Sequence, residues 1–154
     1  MSLRTEYETT GEWLFRHRSF LPLFALPILI PPLLSFAYVG QSHRIEEAWN
    51  VFSLMVSLFG LAVRGLTVGY APKGTSGRNT RHQVADVLNT SGMYSLVRHP
   101  LYLGNYLATL GVVMLFHTFW MPLLVTCFFA LYYERIMFAE EAFLRQRFGE
   151  SFER

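Results

Sequence analysis

From Pro100 to Tyr133 the chain carries no Asp, Glu, Lys or Arg. So long an uncharged run does not suit the surface of a domain in water. It also exceeds the roughly 20 apolar residues that one helix needs to cross a bilayer. The run divides near "FHTFWMP", Phe116 to Pro122. It therefore reads as a tight hairpin of two short spans, Leu101–Phe116 and Phe119–Phe138. Composition agrees with a membrane protein: 52% of residues are hydrophobic and 16% charged, against roughly 25% charged in an average soluble domain. A net charge of +2 is too small to argue for nucleic acid as a partner. The one cysteine, Cys127, excludes an intramolecular disulfide and a site built of cysteines alone. It lies in an apolar run and reads as packing.

Two further spans precede the hairpin. Ser19 to Ser42 is uncharged, and Pro22, Pro27, Pro31 and Pro32 mark it as kinked or interrupted. The lead from Met1 to Arg18 holds Glu6, Glu8 and Glu12 and no small-residue cleavage site, so this span is expected to be retained. Glu47 to Tyr70 is broken only by Arg64. The expectation is an all-α integral membrane domain over residues 1–154 with about four transmembrane helices. Residues 1–70 supply the N-terminal spans, 71–98 a loop, and 99–154 the hairpin and a C-terminal helix.

Charge orients the spans. Arg4, Arg16 and Arg18 precede the first; Arg44 lies between the first and second with Glu46 and Glu47; Lys73, Arg78, Arg81 and Arg98 lie in the next loop. The hairpin tip has none, and Arg135, Arg145, Arg147 and Arg154 follow. The positive-inside rule puts both termini and the 71–98 loop in the cytoplasm. The third span then starts at the cytoplasmic face with Arg98-His99-Pro100. The fourth returns "YYERIMFAEE", Tyr132 to Glu141, to the same face. Two polar clusters far apart in sequence become two walls of one site.

Each wall has chemistry suited to a zwitterionic or nucleoside-bearing ligand. Pro100 fits the first turn of a helix and pushes His99 toward an extended backbone. The helix start offers N–H groups to an anion. Tyr102 and Tyr106 share a face, Gly104 leaves room for close approach, and Glu140 and Glu141 bring negative charge. Plainer readings stand beside these. The Arg-His-Pro run also suits a simple helix start. Glu141 and Arg145 also suit an i,i+4 pair, and Tyr94, Tyr102 and Tyr106 also suit interfacial aromatics. Arg64 near a span end reads as snorkelling. Gly65 and Gly69 form a GxxxG, which reads as helix packing and as a route to a homo-oligomer. His43 and His117, at the expected outer face, lack metal-ligand spacing, His82 in the basic loop reads as solvated, and no metal site is expected.

Together, "NTSGMYSLVRHPLYLGNYLATLG" and "YYERIMFAEEAFLRQRFGESF" resemble the isoprenylcysteine carboxyl methyltransferase and phospholipid methyltransferase superfamily. The resemblance covers roughly Asn79 to Phe152. It rests on a G-x-Y-x-x-x-R-H-P-x-Y-x-G run and an E-E-x-x-L-x-x-x-F-G run separated by a membrane hairpin. It implies an integral-membrane enzyme using S-adenosylmethionine, with its cofactor site on the cytoplasmic side. Carried over by position, Tyr94, His99, Pro100, Leu101, Tyr102 and Glu140 would line the cofactor pocket, with Asn79, Leu88 and Asn89 as further contacts. Arg98, Arg135 and Glu141 would be the catalytic or substrate-side groups. The family's usual further segment after its Phe-Gly pair does not follow here, so the expectation is a shortened chain or an open site.

The resemblance implies transfer of a methyl group to a lipidic acceptor entering from the bilayer. An anionic acceptor, carboxylate or phosphate, needs a cation to position it, for which Arg98 or Arg135 would serve. A phospholipid amine would need a base, for which Glu141 would serve. The membrane is the plasma or inner membrane in a bacterium and the endoplasmic reticulum in a eukaryote. Membrane sterol reductases, which use NADPH, look similar at the R-H-P-x-Y-x-G run. They carry Asn after the Pro and an acidic residue after the Gly, where this chain has Leu101 and Asn105. A non-catalytic membrane interaction or transport module would account for the spans but not for two converging polar clusters.

Overall fold

The computed structural model describes residues 3–18, 20–34, 43–71 and 87–149. Among these every regular element is helical. Helix α1 spans Leu3–His17, a 3₁₀ segment covers Leu21–Leu29, and α2 is the short Ile30–Leu34. Helix α3 runs from His43 to Tyr70, a 3₁₀ turn covers Gly92–Ser95, α4 is Pro100–Met114 and α5 is Trp120–Phe148.

Helices α3 and α5 are each long and apolar enough to cross a membrane, and only 28% and 17% of their apolar windows are buried inside the molecule. Phe59, Leu61 and Leu66 on α3 and Leu123 and Leu131 on α5 all point outward. In water that surface would be costly; in lipid it is the matched surface. Helix α4 is shorter, with 15 residues.

The segment expected as a kinked or interrupted first span is interrupted in its described part, because Pro22, Pro27, Pro31 and Pro32 withhold the N–H groups that an α-helix needs. Residues 35–42, its remainder, lie outside the described residues. The fourth span, expected to end near Phe138, continues unbroken to Phe148. Nothing in "AEEAFLRQRF" breaks a helix, and Gly149, at φ 54°, ends it. At 1.5 Å per residue its 29 residues reach about 43 Å, well beyond a hydrocarbon core of about 30 Å.

Small residues bring α3 and α4 together. A Cβ on Gly60 would meet the Ala108 nitrogen, one on Gly104 would lie 2.9 Å from the Gly60 oxygen, and one on Gly111 would meet the Ser57 nitrogen. Ser57 Oγ donates to the Ala108 carbonyl across this seam at 3.1 Å. Close backbone approach through small residues is the usual way helices associate in lipid. Among the described residues, nothing lies within 4 Å of a Cβ at Gly65 or Gly69, so neither helps to pack the described helices. The hairpin tip is tied to the start of α3. Trp49 Nε1 donates to the Met114 carbonyl at 2.9 Å, and His117 Nε2 donates to Asn50 Oδ1 at 2.8 Å. Cys127, expected to be packed, is exposed on α5.

Helix α1 covers the other side of α5. Phe15 forms a buried cluster with Tyr132 and Ile136. Tyr7 meets Phe138 edge-on at 5.7 Å. Gly11 lies against the Arg135 backbone and Ala139, where no side chain would fit.

Candidate active site

The hairpin sets the site by simple antiparallel register. Tyr106 meets Thr126 at 2.9 Å, and the Tyr102 ring lies 4.6 Å from that of Tyr133. One turn further along, His99 and Tyr102 face Glu140 and Glu141. Glu140 lies 20 residues after the start of α5, about 30 Å along the axis. The cluster thus sits one bilayer thickness from the hairpin tip.

His99 stands at φ −126° and ψ 63°, short of the extended ψ expected before a proline, and Pro100 is the buried first residue of α4. His99 Nε2 donates to Glu141 Oε1 at 3.1 Å, and its Nδ1 lies 3.7 Å from Glu140 Oε2. The Tyr102 hydroxyl donates to Glu140 Oε2 at 2.9 Å. Arg98 lies 3.9 Å from Glu141 and stays largely exposed. Glu140 is 7% exposed. A carboxylate so deeply set persists because donors surround it.

Arg18 is a site residue that the sequence reading did not identify. At the end of α1, its guanidinium donates to the Tyr102 hydroxyl at 3.2 Å and lies over the Phe15 ring at 4.0 Å. A continuous polar chain results, from Arg18 through Tyr102, Glu140, His99 and Glu141 to Arg98. The signal for it lay in α1 itself. Tyr7, Gly11, Leu14, Phe15 and Arg18 follow helical spacing and mark one face.

Arg135 goes elsewhere. Its guanidinium lies over the Tyr7 ring at 4.8 Å, on the α1 side of α5, and is not brought to the His99–Glu140 cluster. Helical spacing explains this: residues 135 and 140 lie on different faces. Tyr94 is brought close. Burial raises its hydroxyl above the ordinary 10.0, the Glu140 charge raises it further, and Arg18 works against both. Leu88 and Asn89 lie half-buried just before the Gly92–Ser95 turn. Asn89 Oδ1 accepts from the Ser91 hydroxyl at 3.3 Å, while its Nδ2 is buried without a hydrogen-bond partner. Leu101 is half-buried in the first turn of α4. Asn79 lies outside the described residues, as do Lys73, Arg78, Arg81 and His82.

Arg64 does not merely snorkel. Its guanidinium donates to Asn105 Oδ1, and Asn105 Nδ2 donates to the Tyr133 hydroxyl at 3.3 Å.

An all-helical membrane scaffold that sets an Arg-His-Pro helix start against a glutamate pair defines a class, and comparison with known proteins gives it a family. The phospholipid methyltransferase family matches residues 72–151, and the chain belongs to that family. It is 30% identical over 141 residues to a protein-S-isoprenylcysteine O-methyltransferase of Schizosaccharomyces pombe, covering 90% of this chain and 50% of that protein. It is 33% identical over 125 residues to the cobalt-zinc-cadmium resistance protein CzcN of Cupriavidus metallidurans, covering 80% of this chain and 55% of that one. The chain spans about half the length of the curated relatives it matches. No solved structure matches it significantly.

Proposed function

We propose that the chain is a membrane methyltransferase that uses S-adenosylmethionine to methylate an oxygen of a lipidic acceptor, a carboxylate or a lipid phosphate. The observation that carries this reading is the meeting of His99 and Tyr102 with Glu140 and Glu141 at the end of the hairpin. The donor set suits the cofactor. Glu140 and Glu141 would attract its ammonium and sulfonium charges, the α4 start would take its carboxylate, and Tyr94 and Tyr102 would stack on its adenine. Asn89 Nδ2, buried and unpaired, has a hydrogen bond to give. When bound, S-adenosylmethionine supplies a methyl group already activated for displacement.

The protein's own task is then alignment and the exclusion of water. Glu140 is fixed by Tyr102 and held from behind by Arg18 through the same hydroxyl. Glu141 is engaged by His99 and faces Arg98. A carboxylate so occupied is poorly placed to take a proton from an amine. This favours an acceptor that arrives as an anion and needs no base. The isoprenylcysteine named for the fission-yeast relative is such an acceptor, ending in a carboxylate. Arg98 would position it at the mouth of the site, and Arg135 would have to leave Tyr7 to do so.

The test is calorimetric binding of S-adenosylmethionine and of NADPH to the full chain in detergent, side by side. The expected result is binding of the first alone, lost in Glu140→Gln with helical circular dichroism unchanged. Binding of NADPH alone would overturn the reading in favour of a reductase. Binding unchanged in Glu140→Gln would refute the site.

A further inference from the structure

We propose that Arg64, Asn105 and Tyr133 form an anion-binding subsite inside the membrane, and that it receives the carboxylate or phosphate of an anionic lipid. This deepens the methyltransferase reading and rests on it for the identity of the lipid as acceptor. Arg64 is the only charged residue between Glu47 and Tyr70. A guanidinium in a membrane span is expensive, and such groups face partners or polar cavities. Its partner here is the neutral Asn105, and among the described residues no carboxylate lies within 4.0 Å of it. One neutral acceptor leaves most of its five N–H donors for another ligand.

Its position is not that of a side chain reaching for water. Gly104 makes room for it: a Cβ there would lie 3.2 Å from Arg64 Cγ. The stem therefore lies across α4, and the guanidinium sits at Asn105. Each of three helices gives one polar group, Arg64 from α3, Asn105 from α4 and Tyr133 from α5. Arg64 remains exposed, flanked on α3 by the outward-facing Leu61 and Leu66, so its open side faces the bilayer. Asn105 follows His99 by six residues and Tyr133 precedes Glu140 by seven, which places both about 10 Å below the polar cluster. The subsite adjoins that cluster through the tilted, neighbouring rings of Tyr133 and Tyr102. A positive, uncompensated, lipid-facing fork suits a planar carboxylate or a phosphate.

The experiment is native mass spectrometry of the full chain in neutral detergent with palmitate, hexadecyl phosphate and hexadecanol as probes. The expected result is one-to-one retention of the anionic probes over hexadecanol. Arg64→Gln should weaken that retention roughly tenfold, the scale of a lost charged hydrogen bond. Preference for palmitate would assign a carboxylate ligand and preference for hexadecyl phosphate a phosphate; either supports the subsite. Equal retention of hexadecanol, or unchanged retention in Arg64→Gln, would overturn it. Asn105→Asp supplies a second test if Arg64→Gln does not fold. It keeps an acceptor for Arg64 while cancelling its charge, so it should abolish anion retention, and retained binding would overturn the proposal. S-adenosylmethionine binding is measured on the same samples. Its absence from the wild type with anion binding intact would sink the methyltransferase reading and leave the subsite standing.

Discussion

At the residue scale, the Tyr102 hydroxyl is the joint of the site, accepting from Arg18 and donating to Glu140. Tyr102→Phe removes both contacts with almost no change of volume. It leaves a buried carboxylate short of a donor, which costs about 1–3 kcal/mol. The expected outcome is a lower melting temperature in detergent and weaker S-adenosylmethionine binding together. Arg18→Met should reproduce part of both losses. Tyr94 carries a pH signature. Its folded-state pKa is raised, by burial first and by Glu140 second. The unfolded chain therefore loses this proton first as pH rises. The stability it contributes is complete below the ordinary 10.0 and is lost as pH climbs through the raised value. Ultraviolet titration of tyrosinate should lose one late-ionising group on Tyr94→Phe, with the remaining tyrosines unchanged. A wild-type titration identical to that of the variant would contradict the placement of Tyr94 beside Glu140.

At the element scale, two sets of glycines on α3 and α4 should behave in opposite ways. Gly60, Gly104 and Gly111 sit where backbones nearly touch. Gly111→Val would drive a side chain into Ser53 and Ser57, and overpacking of this kind costs about 1–3 kcal/mol or more. Gly65 and Gly69 have open space around them. Gly65→Ala and Gly69→Ala should be neutral or stabilising by up to about 1 kcal/mol through helix propensity. Thermal unfolding in detergent separates the two groups. Destabilisation by the Gly65 and Gly69 changes that depends on protein concentration would instead show that this face joins two copies of the chain. Helix α5 shows what spacing along one helix decides. Glu140 lies on the face that meets the site, while Arg135 and Ala139 share a face that lies against Gly11 of α1.

At the scale of the molecule, the site's place in the membrane follows from helix lengths and loop charge. The basic loop before α4 is expected in the cytoplasm and the hairpin tip on the opposite side. In a Cys127→Ala background, a cysteine at the exposed Leu96 should resist a membrane-impermeant maleimide in intact cells. One at the exposed Phe119 should react. The reverse pattern would invert the topology and put the His99–Glu140 cluster outside the cytoplasm.

What could be read from the sequence was whatever a local pattern encodes. The uncharged run, the Pro at the start of α4 and the apolar lengths of α3 and α5 determine helices and their burial in lipid, because hydrocarbon tolerates neither charge nor unpaired backbone groups. Antiparallel return of the hairpin then obliges His99 and Tyr102 to meet the glutamates, so that half of the site was legible before any coordinates. Arg64 and the Gly60–Gly104–Gly111 seam were decided by tertiary structure alone. Their roles depend on which helix packs beside which and on which face, and that is a property of three-dimensional contact, with no period or spacing in the chain to announce it. Arg135 shows the converse: its sequence position beside the glutamates suggested the site, and the angle of one helix turn sent it to Tyr7.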